Sequence, residues 1–121
     1  MNAAASVFGI EEADDTLILT PPRDLDKLGH RQVEAGVDGV LELLETASVK
    51  NVILDLHRTG YFRSATLGLL VKLGKRVGSR QGRLAFCNAS VPATEMLRTT
   101  RLDRVWPVYS SQEEALRAIR K

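Results

Sequence analysis

The 121-residue sequence is poor in the residue types on which several classes of protein depend. Its single cysteine, Cys87, excludes an internal disulfide and any zinc site built from several cysteines. Its two histidines, His30 and His57, are too few for a His-rich metal cage. Aromatic residues make up 5% of the chain, so the core must consist mainly of Leu, Val, Ile and Ala. We therefore expect no metal site and no cofactor.

Charge and hydropathy argue against further classes of protein. The formal net charge is +2, from 17 basic and 15 acidic side chains, which gives little electrostatic reason to bind nucleic acid or an anionic membrane. No apolar run approaches the roughly 20 residues of a membrane span. Residues 1–12 lack the basic start and long apolar stretch of a secretory signal. We expect a cytoplasmic protein that forms one domain over residues 1–121, with residues 1–12 either frayed or contributing a short first strand.

Patterns typical of strands alternate with patterns typical of helices along the chain. The expected strands are rich in β-branched or continuous apolar residues and cover residues 7–10, 16–20, 49–56, 83–88 and 105–108. The expected helices have apolar stripes at helical spacing. The first runs from the carboxylates at 24–26 to about Ala47, and the next two cover residues 64–78 and 91–99. The last helix begins after Ser111, which forms a capping box with Glu114. This alternation implies βαβ crossovers and a largely parallel sheet.

No known catalytic motif is present in the sequence. The G-x-S-x-G elbow, the P-loop and the G-x-G-x-x-G fingerprint are all absent. Asp55 and His57 near a strand end, together with Ser64, leave a small enzyme as an alternative, but a solvated histidine at the loop edge is the favoured interpretation. Cys87 at a strand end is expected to be a buried core residue and not a reactive thiol. We expect no enzymatic activity.

The cations of the helix at 64–78 are open to two interpretations. They form either a phosphate-binding face or an ordinary solvated exterior, and they comprise Lys72, Lys75, Arg76 and Arg80. The nearly neutral net charge and the lack of interleaved aromatic residues favour the solvated exterior.

The junction at residues 61–68 is the most informative segment for function. Ser64 is predicted at the N-cap of a helix, where its hydroxyl accepts a bond from a backbone N–H of the first turn. A helix N-terminus also stabilises negative charge. A phosphate on Ser64, with a charge of about −1.5 to −2, would therefore be tolerated there. Both a capping role and a modification site remain open from the residues alone.

From Thr16 onwards the order of short motifs resembles the STAS domain, the fold of bacterial anti-sigma factor antagonists and of sulfate-transporter C-terminal domains. The segments that carry the resemblance are Leu25-Asp26, 52–56, 62–68, 97–106 and 113–116. The segment 62–68 resembles a signature that runs roughly Asp-Ser-Ser-Gly-Leu-Gly after an apolar residue. This chain keeps Ser64, Leu67 and Gly68 of that signature. The resemblance implies a single α/β domain with a mixed sheet of four to five strands and helices packed mainly on one face.

In the antagonist branch of that family, the first serine of the signature is phosphorylated by a partner that is both anti-sigma factor and kinase. The resemblance therefore implies a non-catalytic protein of signal transduction and transcription regulation. Ser64 is the implied phosphorylation site, and Thr66 is a second candidate. The implied contact surface for the protein partner comprises Phe62, Arg63, Ser64, Ala65 and Thr66.

The signature also departs from the family pattern. Arg63 stands in place of its acidic residue, Ala65 in place of its second serine and Thr66 in place of its first glycine. The alternative is therefore a STAS-fold scaffold or small-ligand-binding module that has lost the phosphoswitch. The identity of the partner and the oligomeric state stay open.

Overall fold

One mixed sheet organises the chain in the computed structural model, which describes residues 3–46 and 48–120. Its strands, in spatial as well as sequence order, are β1 Gly9–Ala13, β2 Thr16–Thr20, β3 Asn51–Asp55, β4 Leu84–Cys87 and β5 Val108–Tyr109. β1 runs antiparallel to β2, and the remaining neighbours are parallel. The predicted mixed sheet is confirmed.

The α-helices of the described residues alternate with the parallel strands. They are α1 His30–Thr46, α2 Ser64–Ser79, α3 Val91–Thr99 and α4 Gln112–Ile119. Short 3-10 turns lie at Ala3–Ser6, Leu25–Lys27 and Leu102–Arg104. The predicted order of strands and helices is confirmed, and the predicted bounds of β2 and α3 coincide with those of the structure.

The sheet has an unequal covering of helices on its two faces. Leu17, Leu54 and Phe86 point into the larger cluster, which contains the buried residues of α1, α2 and α3. Alternate strand residues such as Ile53 and Cys87 point into a smaller cluster beneath α4. β3 is buried along its whole length, because helices cover both of its faces. The expectation that helices pack mainly on one face is confirmed.

The predicted starts of the first helix and of the first strand are wrong. α1 begins at His30 and not directly after the carboxylates at 24–26, because Leu25–Lys27 forms a separate 3-10 turn and Leu28 then adopts an extended conformation. β1 begins at Gly9, since residues 3–6 form a 3-10 turn. The predicted end of the first helix at Ala47 lies outside the described residues.

The last strand is shorter and later than its apolar residues suggest. A 3-10 turn at Leu102–Arg104 precedes this strand. After the turn, the N–H of Trp106 donates to the carbonyl of Leu102 at 2.9 Å. This bond holds Trp106 out of the ladder, so that β5 begins only at Val108. Ser111 caps α4 as predicted, since its hydroxyl accepts a bond from the N–H of Glu114 at 3.1 Å.

Candidate functional site

Ser64 is the first residue of α2, and it is exposed. Arg63 occupies the N-cap position, in an extended conformation with φ −72° and ψ 161°. The N-cap residue provides no side-chain hydrogen bond to the first turn. The prediction that Ser64 caps the helix is therefore wrong by one residue. Within the described part of the chain the Ser64 hydroxyl makes no hydrogen bond, so the helix does not depend on it.

The neighbours of Ser64 divide between surface and core. Arg63 and Ala65 are exposed beside it. Phe62 is 0% exposed and Thr66 is 7% exposed, and Phe62 packs in the main hydrophobic cluster. The side chain of Phe62 therefore supports the junction from beneath and cannot contact a partner as predicted. A kinase cannot reach Thr66 without opening the first turn of α2, so its burial argues against a second phosphorylation site.

A buried carboxylate, Asp55, holds together the loops that precede and flank Ser64. Its Oδ1 lies 2.9 Å from Nδ1 of His57 and accepts bonds from the backbone N–H of His57 and the side-chain amide of Asn88, both at 3.1 Å. Its Oδ2 accepts a bond from the side-chain amide of Gln112 at 2.9 Å. These partners belong to the loop after β3, the loop after β4 and the first turn of α4.

The electrostatics of this cluster keep Asp55 ionised and Cys87 protonated. Burial by itself raises the pKa of Asp55, but the hydrogen bonds from His57, Asn88 and Gln112 outweigh burial and lower the pKa below its ordinary value. Burial, with the nearby charge of Asp55, raises the pKa of the Cys87 thiol to about 12. Cys87 is also 0% exposed, which confirms the prediction of a core residue.

An open groove of about 930 Å³ crosses the carboxyl ends of β3 and β4, and residues 56–61 of the loop that leads to Ser64 line it. Its lining contains the cations Arg23 and Arg58 together with the imidazole of His57, and its described lining includes no Asp or Glu. Tyr61, which is 58% exposed, also lines the groove and adds an aromatic surface to it. The groove is suited to an acidic or phosphate-bearing segment that also carries an apolar group.

The loop that carries the groove is anchored at both ends. The hydroxyl of Thr59 donates to the carbonyls of Pro21 and Pro22, each at 3.1 Å. The hydroxyl of Ser90, at the N-cap of α3, donates to the carbonyl of Gly60 at 2.7 Å. The loop before Ser64 is thus presented in a fixed shape.

The small-enzyme alternative requires Asp55, His57 and Ser64 to lie within hydrogen-bond reach of one another, and only the first two do. Asp55 and His57 do pair, because residues two positions apart lie on the same side of an extended chain. The His57 side chain stays 55% exposed, which agrees with the favoured expectation of a solvated histidine. Among the described residues, however, Ser64 makes no hydrogen bond to either of them. The described residues also contain no group of three or more His, Cys, Asp or Glu side chains arranged to hold a metal ion.

Two of the predicted surface cations on α2 form ion pairs with α1. Lys72 lies 2.9 Å from Asp38, and Arg76 lies 2.7 Å from Glu45. These pairs are exposed and hold the outer faces of the two helices together, which supports the solvated exterior over a phosphate-binding face. Within the described residues no helix is long and apolar enough to cross a bilayer.

Sequence reasoning missed Asn88 and Gln112 as members of the site. A usable signal existed, because each is a polar residue that follows a strand, and the carboxyl ends of parallel strands meet at one edge of a sheet. Nothing in the spacing alone could pair them with Asp55, since Gln112 lies 57 positions away.

Comparisons with known proteins agree on one protein family. The sequence profile of the STAS domain matches residues 8–115. A Planctomyces limnophilus protein solved as an anti-sigma-factor antagonist domain is similar at 30% identity over 94% of this chain and 98% of its own, with a TM-score of 0.80. A Thermotoga maritima protein superposes with a TM-score of 0.85 over 100% of both chains, at 23% identity.

A curated relative extends the comparison to a protein with an assigned role. The anti-sigma F factor antagonist of Paenibacillus polymyxa is 23% identical over 75 residues, which is 62% of this chain. The match spans 64% of the length of that relative.

Proposed function

The chain belongs to the STAS domain family, and on that premise we propose that it is an anti-sigma factor antagonist: a non-catalytic regulatory protein whose binding to a protein partner is switched at Ser64. The partner is an anti-sigma factor of the serine-kinase type, acting in the cytoplasm. The unmodified protein binds this partner, and a phosphate on Ser64 releases it. The assigned role of the Paenibacillus polymyxa relative and the description of the Planctomyces limnophilus protein support this proposal.

The observation that carries the proposal is the exposed, uncommitted hydroxyl of Ser64 in the first turn of α2. A kinase can reach this oxygen without breaking a hydrogen bond of the fold. A phosphate there gains favourable interaction with the N-terminal end of a 16-residue helix, so modification leaves the fold intact. The added charge then acts on the partner and not on the stability of the domain.

The contact surface in this proposal is smaller than the sequence suggested. It comprises the exposed residues Arg63, Ser64 and Ala65, with Tyr61 at the edge of the cationic groove. Phe62 and Thr66 contribute only by packing beneath it.

Arg63 supports the alternative function, a STAS-fold scaffold that has lost the switch. A cation directly before Ser64 attracts a phosphate on that residue and offsets part of its charge. A partner surface that is repelled by the phosphate would then be repelled less strongly. The two functions agree on binding by the face around Ser64 and differ on its response to modification.

Binding measurements with the serine-kinase anti-sigma factors of the same genome, each purified singly, test the proposal. We expect one of them to bind the wild type and Ser64→Ala, and to bind Ser64→Asp at least about tenfold more weakly, which corresponds to about 1.4 kcal/mol. Ser79→Asp is the matched control, because Ser79 is an exposed serine at the other end of α2.

The same titrations separate the alternatives. Equal binding of wild type, Ser64→Asp and Ser79→Asp would favour the scaffold function, since the charge would then have no effect on the contact. Absence of binding to any of these anti-sigma factors would contradict the proposed partner class.

A further inference from the structure

The far edge of the sheet contains a gap where the first half of β5 would lie, because β5 begins only at Val108. β5 has two residues, and they pair with Phe86 and Cys87 of β4. Among the described residues, the first half of β4, Leu84 and Ala85, therefore has a neighbouring strand on one side only.

The hydrogen-bond pattern shows which backbone groups face this gap. The N–H of Phe86 donates to the carbonyl of Pro107 at 2.9 Å, on the β5 side. In a strand the N–H and C=O of one residue point the same way, and this direction repeats at every second residue. The N–H and C=O of Leu84 therefore point into the gap. One step back along the ladder, the Leu84 carbonyl would face the nitrogen of Pro107, which carries no hydrogen to donate.

A cavity of about 330 Å³ fills this gap. It is bounded by Gly78 of α2 and Ile119 of α4, helices that lie on opposite faces of the sheet. The cavity thus lies in the plane of the sheet, in the place that an extended β5 would occupy. Its volume is at the lower end of the range of about 300–1,000 Å³ in which proteins hold small molecules.

Two local features keep the cavity open. Trp106 lies against Gly74 one helical turn before Gly78, so closely that a β-carbon on Gly74 would overlap the indole ring. Gly78 has no side chain, and a β-carbon there would meet nothing within 4 Å. The walls are otherwise largely apolar and include Leu84, Trp106 and Tyr109, while Arg83 contributes a charged residue to the lining.

We propose that this cavity binds a small planar heterocycle that carries a cyclic amide. The amide N–H of such a ligand donates to the carbonyl of Leu84, while its carbonyl accepts from the N–H of Leu84. Its ring lies between the apolar walls beside Trp106 and Tyr109. This class fits because the strand edge offers one donor next to one acceptor. Backbone groups that no described residue of the chain pairs with, in a largely apolar setting, favour a ligand that satisfies both.

This site is independent of the regulatory surface. Ser64 and Gly78 lie near opposite ends of α2, about 20 Å apart at a rise of 1.5 Å per residue. A test of ligand binding at the cavity is therefore independent of the test of the proposed function at Ser64.

A titration of the ¹⁵N-labelled full chain with 2-quinolinone, followed by NMR, tests the inference. We expect saturable shifts of the Leu84 and Ala85 amide signals and of the Trp106 indole signal. N-methyl-2-quinolinone has the same rings but cannot donate to Leu84, and we expect it to bind at least tenfold more weakly. Absence of saturable shifts up to the solubility of 2-quinolinone, or equal binding of both compounds, would overturn the proposal.

A pair of variants tests the location of the site. Gly78→Leu directs a side chain into the cavity and should abolish the shifts. Gly68→Leu is the matched control, since Gly68 lies on the same helix, also has open space around it and does not line the cavity. Retained signal dispersion shows that each variant is folded. Unchanged binding to a folded Gly78→Leu would place the compound elsewhere and contradict the proposal.

Discussion

Oδ2 of Asp55 accepts a 2.9 Å hydrogen bond from the side-chain amide of Gln112, joining the end of β3 to the first turn of α4. The other oxygen of Asp55 binds His57 and Asn88 in two further loops. A single carboxylate thus determines how three chain segments meet beside the surface that carries Ser64.

Replacing this carboxylate should weaken the fold. In Asp55→Asn one oxygen becomes an amide nitrogen, which cannot accept the hydrogen bonds that the oxygen accepted. Because hydrogen bonds to a charged group contribute about 1.5–3 kcal/mol each, we expect a loss of at least about 2 kcal/mol in the free energy of unfolding at neutral pH. Denaturation with urea measures it. Glu113→Gln, an exposed carboxylate on α4, is the control and should change stability little.

The same substitution should change how stability depends on pH. The pKa of Asp55 is lower in the folded chain than its ordinary value, so its contribution is complete above about pH 4 and is lost as pH falls through the folded pKa. We expect wild type to lose more stability than Asp55→Asn between neutral pH and about pH 3. Parallel losses in the two proteins would show that Asp55 does not titrate with a lowered pKa.

Cys87 should be inert in the folded protein. The thiol is fully buried and its pKa is raised to about 12, so little thiolate is present at mildly alkaline pH. We expect a thiol-specific disulfide reagent to leave Cys87 unmodified in the native state and to modify it completely in guanidinium chloride. Rapid native modification would contradict the packing described for β4.

Two glycines of α2 should respond to alanine in opposite directions. At Gly74 an added β-carbon overlaps the Trp106 ring, and we expect Gly74→Ala to cost about 1–3 kcal/mol. At Gly68 the space is open, and alanine should add about 0.5–1 kcal/mol by limiting the unfolded chain. Urea denaturation of both variants gives the comparison. Equal effects would mean that Trp106 does not pack on Gly74.

Arg63 should reduce the effect of phosphate on partner binding. Its positive charge beside Ser64 offsets part of the phosphate charge, and an exposed pair of this kind contributes up to about 1 kcal/mol. In Arg63→Ala we therefore expect phosphorylation of Ser64 to lower the affinity for the anti-sigma factor about two- to fivefold more than in wild type. Arg117→Ala, on the opposite face of the sheet, should leave the ratio unchanged.

Local pattern was sufficient for most of the architecture. The continuous apolar residues of β3 and the capping serine of α4 predict their elements because the deciding contacts are local. The starts of α1 and of the last strand were mispredicted for the opposite reason. Leu25 enters a separate turn, and Trp106 bonds back to Leu102 and packs on Gly74, an arrangement that depends on tertiary contacts.

The site was only partly accessible from sequence. The motif around Ser64 identifies the junction, but the division between the exposed Arg63 and the buried Phe62 and Thr66 depends on the exact residue at which α2 begins. The Asp55 cluster is formed by loops that are distant in the chain, so its members cannot be paired by spacing.

The most direct test is incubation of the protein with ATP and the anti-sigma kinase that binds it, followed by mass spectrometry and by titration of the modified protein. We predict one phosphate on Ser64, none on Ser64→Ala, and affinity for the kinase at least about tenfold lower after modification. An unmodified Ser64, or a phosphorylated protein that binds as tightly as before, would contradict a switch at this residue.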